Sequence, residues 1–398
     1  MEKVIPSKNK LLGLLYGHAI GAGIGSQYKF KKATDLSAVN SSDIKLIAWS
    51  PASEMMFLLI DAIVNNTECE KALVDWRKEN IVVNMRNIIK CLLDEEDYVY
   101  NPAAVTRRLW EKSDKKLANN INLFCTPAAV VTGTAYKTEL VSCDPRCYSC
   151  DEFYGNVIKS LLYNDDINPY IVYKESEVLS YNKLKHITHD EFSDQCKLEE
   201  YCKDFDYWIR LGISGDLIKT NIDDMTNTDY VYKTTAFSAL VLKVIDMSKK
   251  INAVPSFEKS IIKVLKLGGD TESNCAIVGA LLGCYLGYSN LPLKWLNNPF
   301  DKIINKLCDN IIHYNKNQTI SSEPASSTES STELPSSEPA ETSTELPSSE
   351  SAETSTELPP IENSLEVSLE DASLGTPEQS TDKFTEALRD LGLESLDD

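Results

Sequence analysis

Long apolar runs are missing from this 398-residue chain. The apolar stretches 11–24 and 277–286 fall short of the roughly 20 residues that a helix needs to cross a bilayer, and the first contains His18. No membrane segment and no secretory leader is therefore expected, which points to the cytoplasm. The 11 cysteines stand at irregular spacings, and with no export signal the expectation is reduced thiols and no disulfide framework. Period-two alternation is scarce as well; residues 170–181, with Ile171, Val172 and Val178, are the best candidate for a strand. Gly21, Gly23 and Gly25 alternate without a preceding strand, so they form no dinucleotide fingerprint.

From about Thr319 onward aromatic and basic residues all but vanish. Twenty of the 60 acidic residues lie there, against only Lys383 and Arg389 of the 40 basic ones, so this tail carries −18 and the rest of the chain −2. A near-neutral body excludes bulk nucleic-acid binding, which needs a basic surface. The tail repeats a twelve-residue unit, SSEPAETSTELP at 336–347 and SSESAETSTELP at 348–359. A repeat this polar buries no core and reads as disorder. Its end differs: Phe384, Ala387, Leu388 and Leu391 follow Ser380-Thr381 at helical spacing, the pattern of a short helix able to dock on a protein partner. The organisation expected is a domain over 1–318, a disordered Ser/Thr/Glu/Pro-rich tail over 319–379, and an amphipathic terminus over 380–398.

Within the body, apolar residues recur at three- and four-residue steps over 55–64, 81–93, 157–162, 234–245 and 257–267, so the fold class is all-α. Two segments share an uncommon feature. Gly13, Gly17 and Gly21 are spaced by four, and so are Gly279, Gly283 and Gly287. Each set lies on one helix face where a second backbone can approach. An interior glycine costs about 1 kcal/mol against alanine, so both helices are expected at the centre, where close packing offsets that cost.

Directly before the second segment stands Gly268-Gly269-Asp270-Thr271-Glu272-Ser273-Asn274. Two glycines allow a tight turn; then two carboxylates and two hydroxyls fill four positions at a helix start. Such oxygens suit a hard cation such as Mg²⁺, and the same residue types also cap helices. Both readings stand on the spacing.

GGDTESNCAIVGALLGCYLGYSNLPLKWL resembles the C-terminal signature of the ADP-ribosylglycohydrolases, a group that includes the dinitrogenase reductase-activating glycohydrolases. LLGLLYGHAIGAGIG is similar to their N-terminal signature, TDYVYKTTAFSALVLKVI with FEKSIIKVLKLGGD to the helices before the metal loop, and SCDPRC at 142–147 to a short internal motif. The resemblance covers about 10–300, with an unmatched middle from roughly 164 to 217. It implies an all-α fold with two Mg²⁺ ions at the bottom of a cleft, and hydrolysis of the glycosidic bond between ADP-ribose and a protein side chain or small acceptor. It further implies Asp270, Glu272, Ser273 and Ser50 as metal ligands, and Gly268, Gly269, Thr271 and Asn274 as substrate contacts. Free ADP-ribose or an ADP-ribosylated protein is the partner implied.

The chain departs from the family where the metals are held. Trp-Thr-Asp-Asp-Thr of the family aligns with Trp49-Ser50-Pro51-Ala52-Ser53, which keeps the hydroxyls and loses both aspartates. His18 replaces an aspartate, Gly25 stands where many members have glutamate, and Glu272 stands for aspartate. The family's Asn-Gly-(small)-Leu-Met-Arg aligns with residues 120–125, Asn-Ile-Asn-Leu-Phe-Cys, without the glycine or the arginine. Hard cations bind weakly without carboxylates. Two expectations follow: a Mg²⁺-dependent glycohydrolase with a reduced metal site, or a catalytically impaired relative that binds ADP-ribose or acts as an interaction module.

Other features weigh less. Glu54 and Asp43 are the neighbouring carboxylates that would have to replace the lost pair, although Glu54 at a helix start points away from Ala52. Cys143, Cys147 and Cys150 have the C-x3-C-x2-C spacing of an iron–sulfur loop, but such loops belong to α/β barrels; zinc would need a fourth ligand such as Cys125 or His18. Buried thiols are the plainer reading. His18 in a Gly-rich apolar helix reads as a packed residue before a general acid or base.

Overall fold

The computed structural model describes residues 5–46, 50–79, 85–113, 117–190, 195–224, 228–296 and 301–321. Its helices are, in order, α1 (Lys8–Ser26), α2 (Ala33–Leu36), α3 (Pro51–Val64), α4 (Cys69–Lys78), α5 (Asn87–Leu93), α6 (Pro102–Lys112), α7 (Asn122–Thr132) and α8 (Pro145–Tyr163). They continue with α9 (Pro169–Asp190), α10 (Gln195–Ser214), α11 (Val231–Lys250), α12 (Phe257–Leu265), α13 (Thr271–Leu286), α14 (Leu293–Leu296) and α15 (Asp301–Ser321). Among the described residues there is no strand; two isolated bridges, Lys31 with Gly269 and Asn119 with Tyr230, pair short extended pieces. The all-α expectation holds. No helix among the described residues is long and apolar enough to cross a membrane. The repeats and the terminus at 380–398 lie outside the described residues, while α15 runs a turn past position 318.

Polar side chains start several of these helices. Ser50, Asn101, Ser256 and Asp270 each accept a bond from the backbone N–H three residues on, and Asp144 accepts one from Arg146. Proline follows at once in α3, α6 and α8, where its missing N–H costs nothing and its fixed φ suits the first turn.

α1 and α13 form the centre. Each is apolar on nearly every face and buried along most of its length. The glycine spacing explains how closely they run. A Cβ on Gly17 would lie 2.0 Å from the carbonyl oxygen of Gly279, and one on Gly13 would lie 2.1 Å from that of Gly283. Gly21 meets Cys275 and Gly25 meets Thr271 in the same way. Gly287 stands apart from this seam: it ends α13 with φ +77°, a helix-terminating role that glycine fills at little steric cost. The other helices pack around the pair, with α3 against α7, α8 against α9 and α10 against α11.

The strand expected over 170–181 is not there; those residues belong to α9. Val172 and Tyr173 are buried while Ile171 and Val178 are exposed, so burial follows helical turns and not alternation. Ser176 and Ser180 donate to the carbonyls of Val172 and Ser176, four residues back. The β-branched and aromatic content mimics a strand locally, and tertiary packing overrides that weak preference.

Candidate functional site

The loop before α13 is fixed first by its glycines. Gly268 and Gly269 both have left-handed backbone, φ +72° and +70°. Gly269 accepts from Phe30 N at 2.7 Å and donates to Lys31 O at 2.9 Å, clamping the turn to the segment after α1. A Cβ on Gly268 would lie 2.7 Å from Lys31 O. The N–H and C=O of Gly269 and the N–H of Gly268 are therefore engaged by the protein's own chain. Thr271 Oγ1 donates to Gly25 O at 2.7 Å, which ties the helix start to the end of the glycine seam.

Asp270 then turns inward, fully buried. It caps α13 through Ser273 N, and its Oδ2 accepts from Ser273 Oγ at 2.7 Å and Asn120 Nδ2 at 2.8 Å. The same Oδ2 accepts from Arg86 Nη2 at 2.5 Å. Arg86 stands immediately before α5 and also donates to Ser273 Oγ and to Asn120 Oδ1, both at 2.6 Å. Asp229 Oδ2 lies 3.9 Å from it, and its guanidinium sits over the Phe124 ring, 5.4 Å from the centroid. Burial alone would raise the Asp270 carboxyl; Arg86, Lys29 and the bonds from Asn120 and Ser273 outweigh it and hold the group below the ordinary carboxylate range. The acid therefore stays ionised.

Glu272, two residues on, is paired by Lys29, which leaves the turn after α1. Its second oxygen, Oε1, is buried with no hydrogen-bond partner among the described residues, as are Arg86 Nε and Asn274 Oδ1. Gly25, where the family resemblance implies a glutamate, has no room for any side chain: a Cβ would meet Thr271 O at 2.2 Å. One helical turn further on, Lys29 brings a positive charge to the site.

The residues aligned with the family's other metal motifs lie at the start of α3 and on α1. Ser50 caps α3 through Ser53 N at 3.4 Å, and Ser53 Oγ lies 3.3 Å from His18 Nδ1. Pro51 and Ala52 are buried and offer no side-chain oxygen. His18 packs edge-on to Phe124. Burial pushes its pKa down to about 3, so the imidazole is neutral at ordinary pH, and its Nε2 has no partner among the described residues. Glu54 accepts from Trp76 Nε1 at 3.0 Å and so faces α4. Trp49 and the side chain of Asp43 lie outside the described residues.

The structure thus brings Asp270 and Ser273 onto one cation, Arg86, and Glu272 onto another, Lys29, while Ser50 serves a helix cap. Asp270 and Glu272 each meet a protein cation, and with the more distant Asp229 the cluster as a whole carries −1. As arranged, this donor set does not fit Mg²⁺, because a dication bound by Asp270 Oδ2 would stand against a guanidinium within hydrogen-bond reach of the same oxygen. Among the described residues no three His, Cys, Asp or Glu side chains are grouped to hold a metal ion, and that includes Cys143, Cys147 and Cys150. Those thiols are buried and free, with Cys147 and Cys150 pushed well up by burial. The SCDPRC motif is structural: Asp144 caps α8, accepts from Trp110 Nε1 at 2.8 Å and takes a two-pronged bond from Arg146.

Arg86 and Lys29 were not legible as site residues. They lie 184 and 243 positions from their partners, and no local pattern marks either one. The loss of two aspartates beside a retained Asp270 and Glu272 does signal that the remaining charges need a new partner.

Comparison with known proteins supplies the family. The sequence model of the ADP-ribosylglycohydrolases matches residues 5–320. A solved structure described as an ADP-ribosylglycohydrolase-related protein complex aligns with 77% of this chain and 98% of its own, at 14% identity and a TM-score of 0.43. No curated protein matches the sequence.

Proposed function

The chain belongs to the ADP-ribosylglycohydrolase family, whose members act on ADP-ribose or ADP-ribosylated substrates, and from that premise we propose that it recognises an ADP-ribosyl group without Mg²⁺-dependent hydrolysis. The observation that carries this reading is the engagement of both retained carboxylates by the protein's own cations, Asp270 by Arg86 and Glu272 by Lys29.

Glycosidic hydrolysis adds water at the anomeric carbon and delivers a proton to the leaving group, so it needs a base, an acid and stabilisation of developing charge. Asp270 is a poor base here, since Oδ2 already accepts from three side chains. His18 is a poor acid, since burial keeps it unprotonated. What remains is chemistry suited to binding. Glu272 Oε1 and Asn274 Oδ1 accept, Arg86 Nε donates, and all three are buried without partners among the described residues. A ribose hydroxyl can both donate and accept, and so can pair with an acceptor such as Glu272 Oε1 or a donor such as Arg86 Nε. Family membership favours a second reading, Mg²⁺-dependent hydrolysis, and one experiment decides between the two.

ADP-ribose is titrated calorimetrically into the protein in EDTA and again in Mg²⁺, and release of ADP-ribose from a modified protein is followed under both conditions. The expected result is the same affinity in both and no release. Turnover that needs Mg²⁺ and disappears in Asp270→Ala would establish the hydrolase instead; no binding in either buffer would refute recognition as well.

A further inference from the structure

We infer that Arg86 and Lys29 are built-in substitutes for divalent cations, so that the cluster is a cation site whose cations are side chains. The inference concerns the charge cluster alone and does not depend on whether the protein binds ADP-ribose.

Arg86 sits within an oxygen cage drawn from separate parts of the fold. Asp270 Oδ2 at 2.5 Å, Ser273 Oγ at 2.6 Å and Asn120 Oδ1 at 2.6 Å converge on its Nη atoms, with Asp229 Oδ2 further out at 3.9 Å. A carboxylate, a hydroxyl and an amide carbonyl are the oxygen types that hold a hard cation. They come from the start of α13, from the segment before α7 and from the segment before α11. Lys29 pairs with Glu272 through a single carboxylate oxygen, and Glu272 Oε1 remains buried and unpartnered among the described residues, which marks a donor set only partly used.

Charge accounting supports the exchange. The family resemblance implies carboxylates at positions 51 and 52 as well as around 270; here Pro51 and Ala52 contribute none. Asp270, Glu272 and the more distant Asp229 carry −3, and Arg86 with Lys29 brings the cluster to −1. Two dications in their place would leave the buried site with a net positive charge. A structural ion pair with no history as a cation seat predicts differently: removing Arg86 would leave an unpaired Asp270 that no added metal relieves.

The test uses the full-length protein without nucleotide. Mn²⁺ binding is measured by the loss of its free EPR signal, and thermal midpoints are compared in EDTA, Mg²⁺ and Mn²⁺. Wild type is expected to bind no stoichiometric Mn²⁺ and to melt at the same temperature in all three. Arg86→Ala should melt lower in EDTA, bind Mn²⁺, and recover about 2 to 4 °C at a cation concentration roughly ten times its dissociation constant. Arg86→Ala with Asp270→Asn, which removes both charges, should neither bind nor respond. Stoichiometric Mn²⁺ on wild type overturns the inference, and so does an Arg86→Ala protein that folds but ignores the cation. If Arg86→Ala does not fold, Lys29→Ala decides by the same titration, because Lys29 lies nearer the surface, with 13% of its side chain exposed. Cation binding there supports the inference and its absence refutes it. ADP-ribose binding by wild type, measured separately, is untouched by either result.

Discussion

Gly279→Ala is expected to lower the unfolding free energy by more than about 3 kcal/mol, although alanine is the better helix former by about 1 kcal/mol. The two effects oppose each other, and geometry decides. The new Cβ would lie 2.1 Å from the carbonyl oxygen of Gly17 and 2.9 Å from its carbon. Both are backbone atoms of a buried helix, so neither can rotate away as a flexible side chain would. α1 and α13 would have to separate by more than an ångström, and a close-packed interior transmits such a shift along the whole seam. The seam ends at Gly25 and Thr271, which hold the loop that carries Asp270 and Glu272, so the ionic cluster should loosen with it. Urea unfolding of Gly279→Ala and Gly17→Ala measures the loss. Gly215→Ala is the comparison: Gly215 has φ +89° but nothing within 4 Å of its added carbon, so only backbone strain of about 1 to 2 kcal/mol applies. A Gly279→Ala protein as stable as wild type would mean that the helices do not meet in this way.

Asp151→Asn should remove a pH dependence worth on the order of 3 kcal/mol. Asp151 lies on α8, fully enclosed, and accepts from Thr126 Oγ1 at 2.5 Å, from Asn122 Nδ2 at 2.8 Å and from Thr138 Oγ1. Burial raises its pKa from 3.8 to about 6, and the three hydrogen bonds only partly oppose that. The folded protein therefore holds this proton more tightly than the unfolded chain. Its contribution to stability is fully present below about pH 4 and is lost as the pH rises through 6. The carboxamide introduced by the substitution does not titrate, and the threonine hydroxyls can turn to accept from its NH₂ group. Unfolding free energies of the two proteins from pH 4 to pH 7 should diverge steadily, with the variant gaining on wild type. Parallel curves would show that Asp151 titrates normally. Asp270 works in the opposite direction: its lowered pKa contributes stability above about pH 4 that is lost as the pH falls through its folded value.

Part of the site was readable from local pattern. Gly268-Gly269 announced a left-handed turn because few other residues take that backbone, and Asp270 with Ser273 announced a helix start. The four-residue glycine spacings announced a close helix pair because that spacing repeats on one helical face. Gly287, though it keeps the spacing, ends the helix instead. Residues 170–181 misled, since Ile171, Val172 and Val178 favour strands only weakly and α9 buries a helical stripe of them. The GGDTESN loop read as a helix cap or as a metal site; the cap is there, and its two carboxylates pair with side-chain cations. Asp270 caps α13 and also forms one wall of an oxygen cage.

The sequence by itself determined the family, the all-α class, the central glycine helices and the loss of carboxylates at Pro51 and Ala52. These are properties of short-range pattern, where backbone freedom, helical period and residue identity act within a few positions. Only the tertiary structure decided what balances Asp270 and Glu272. Arg86 and Lys29 reach them across 184 and 243 residues of chain, and a charge is attracted by whatever the fold places within a few ångströms of it, whatever its position in the sequence.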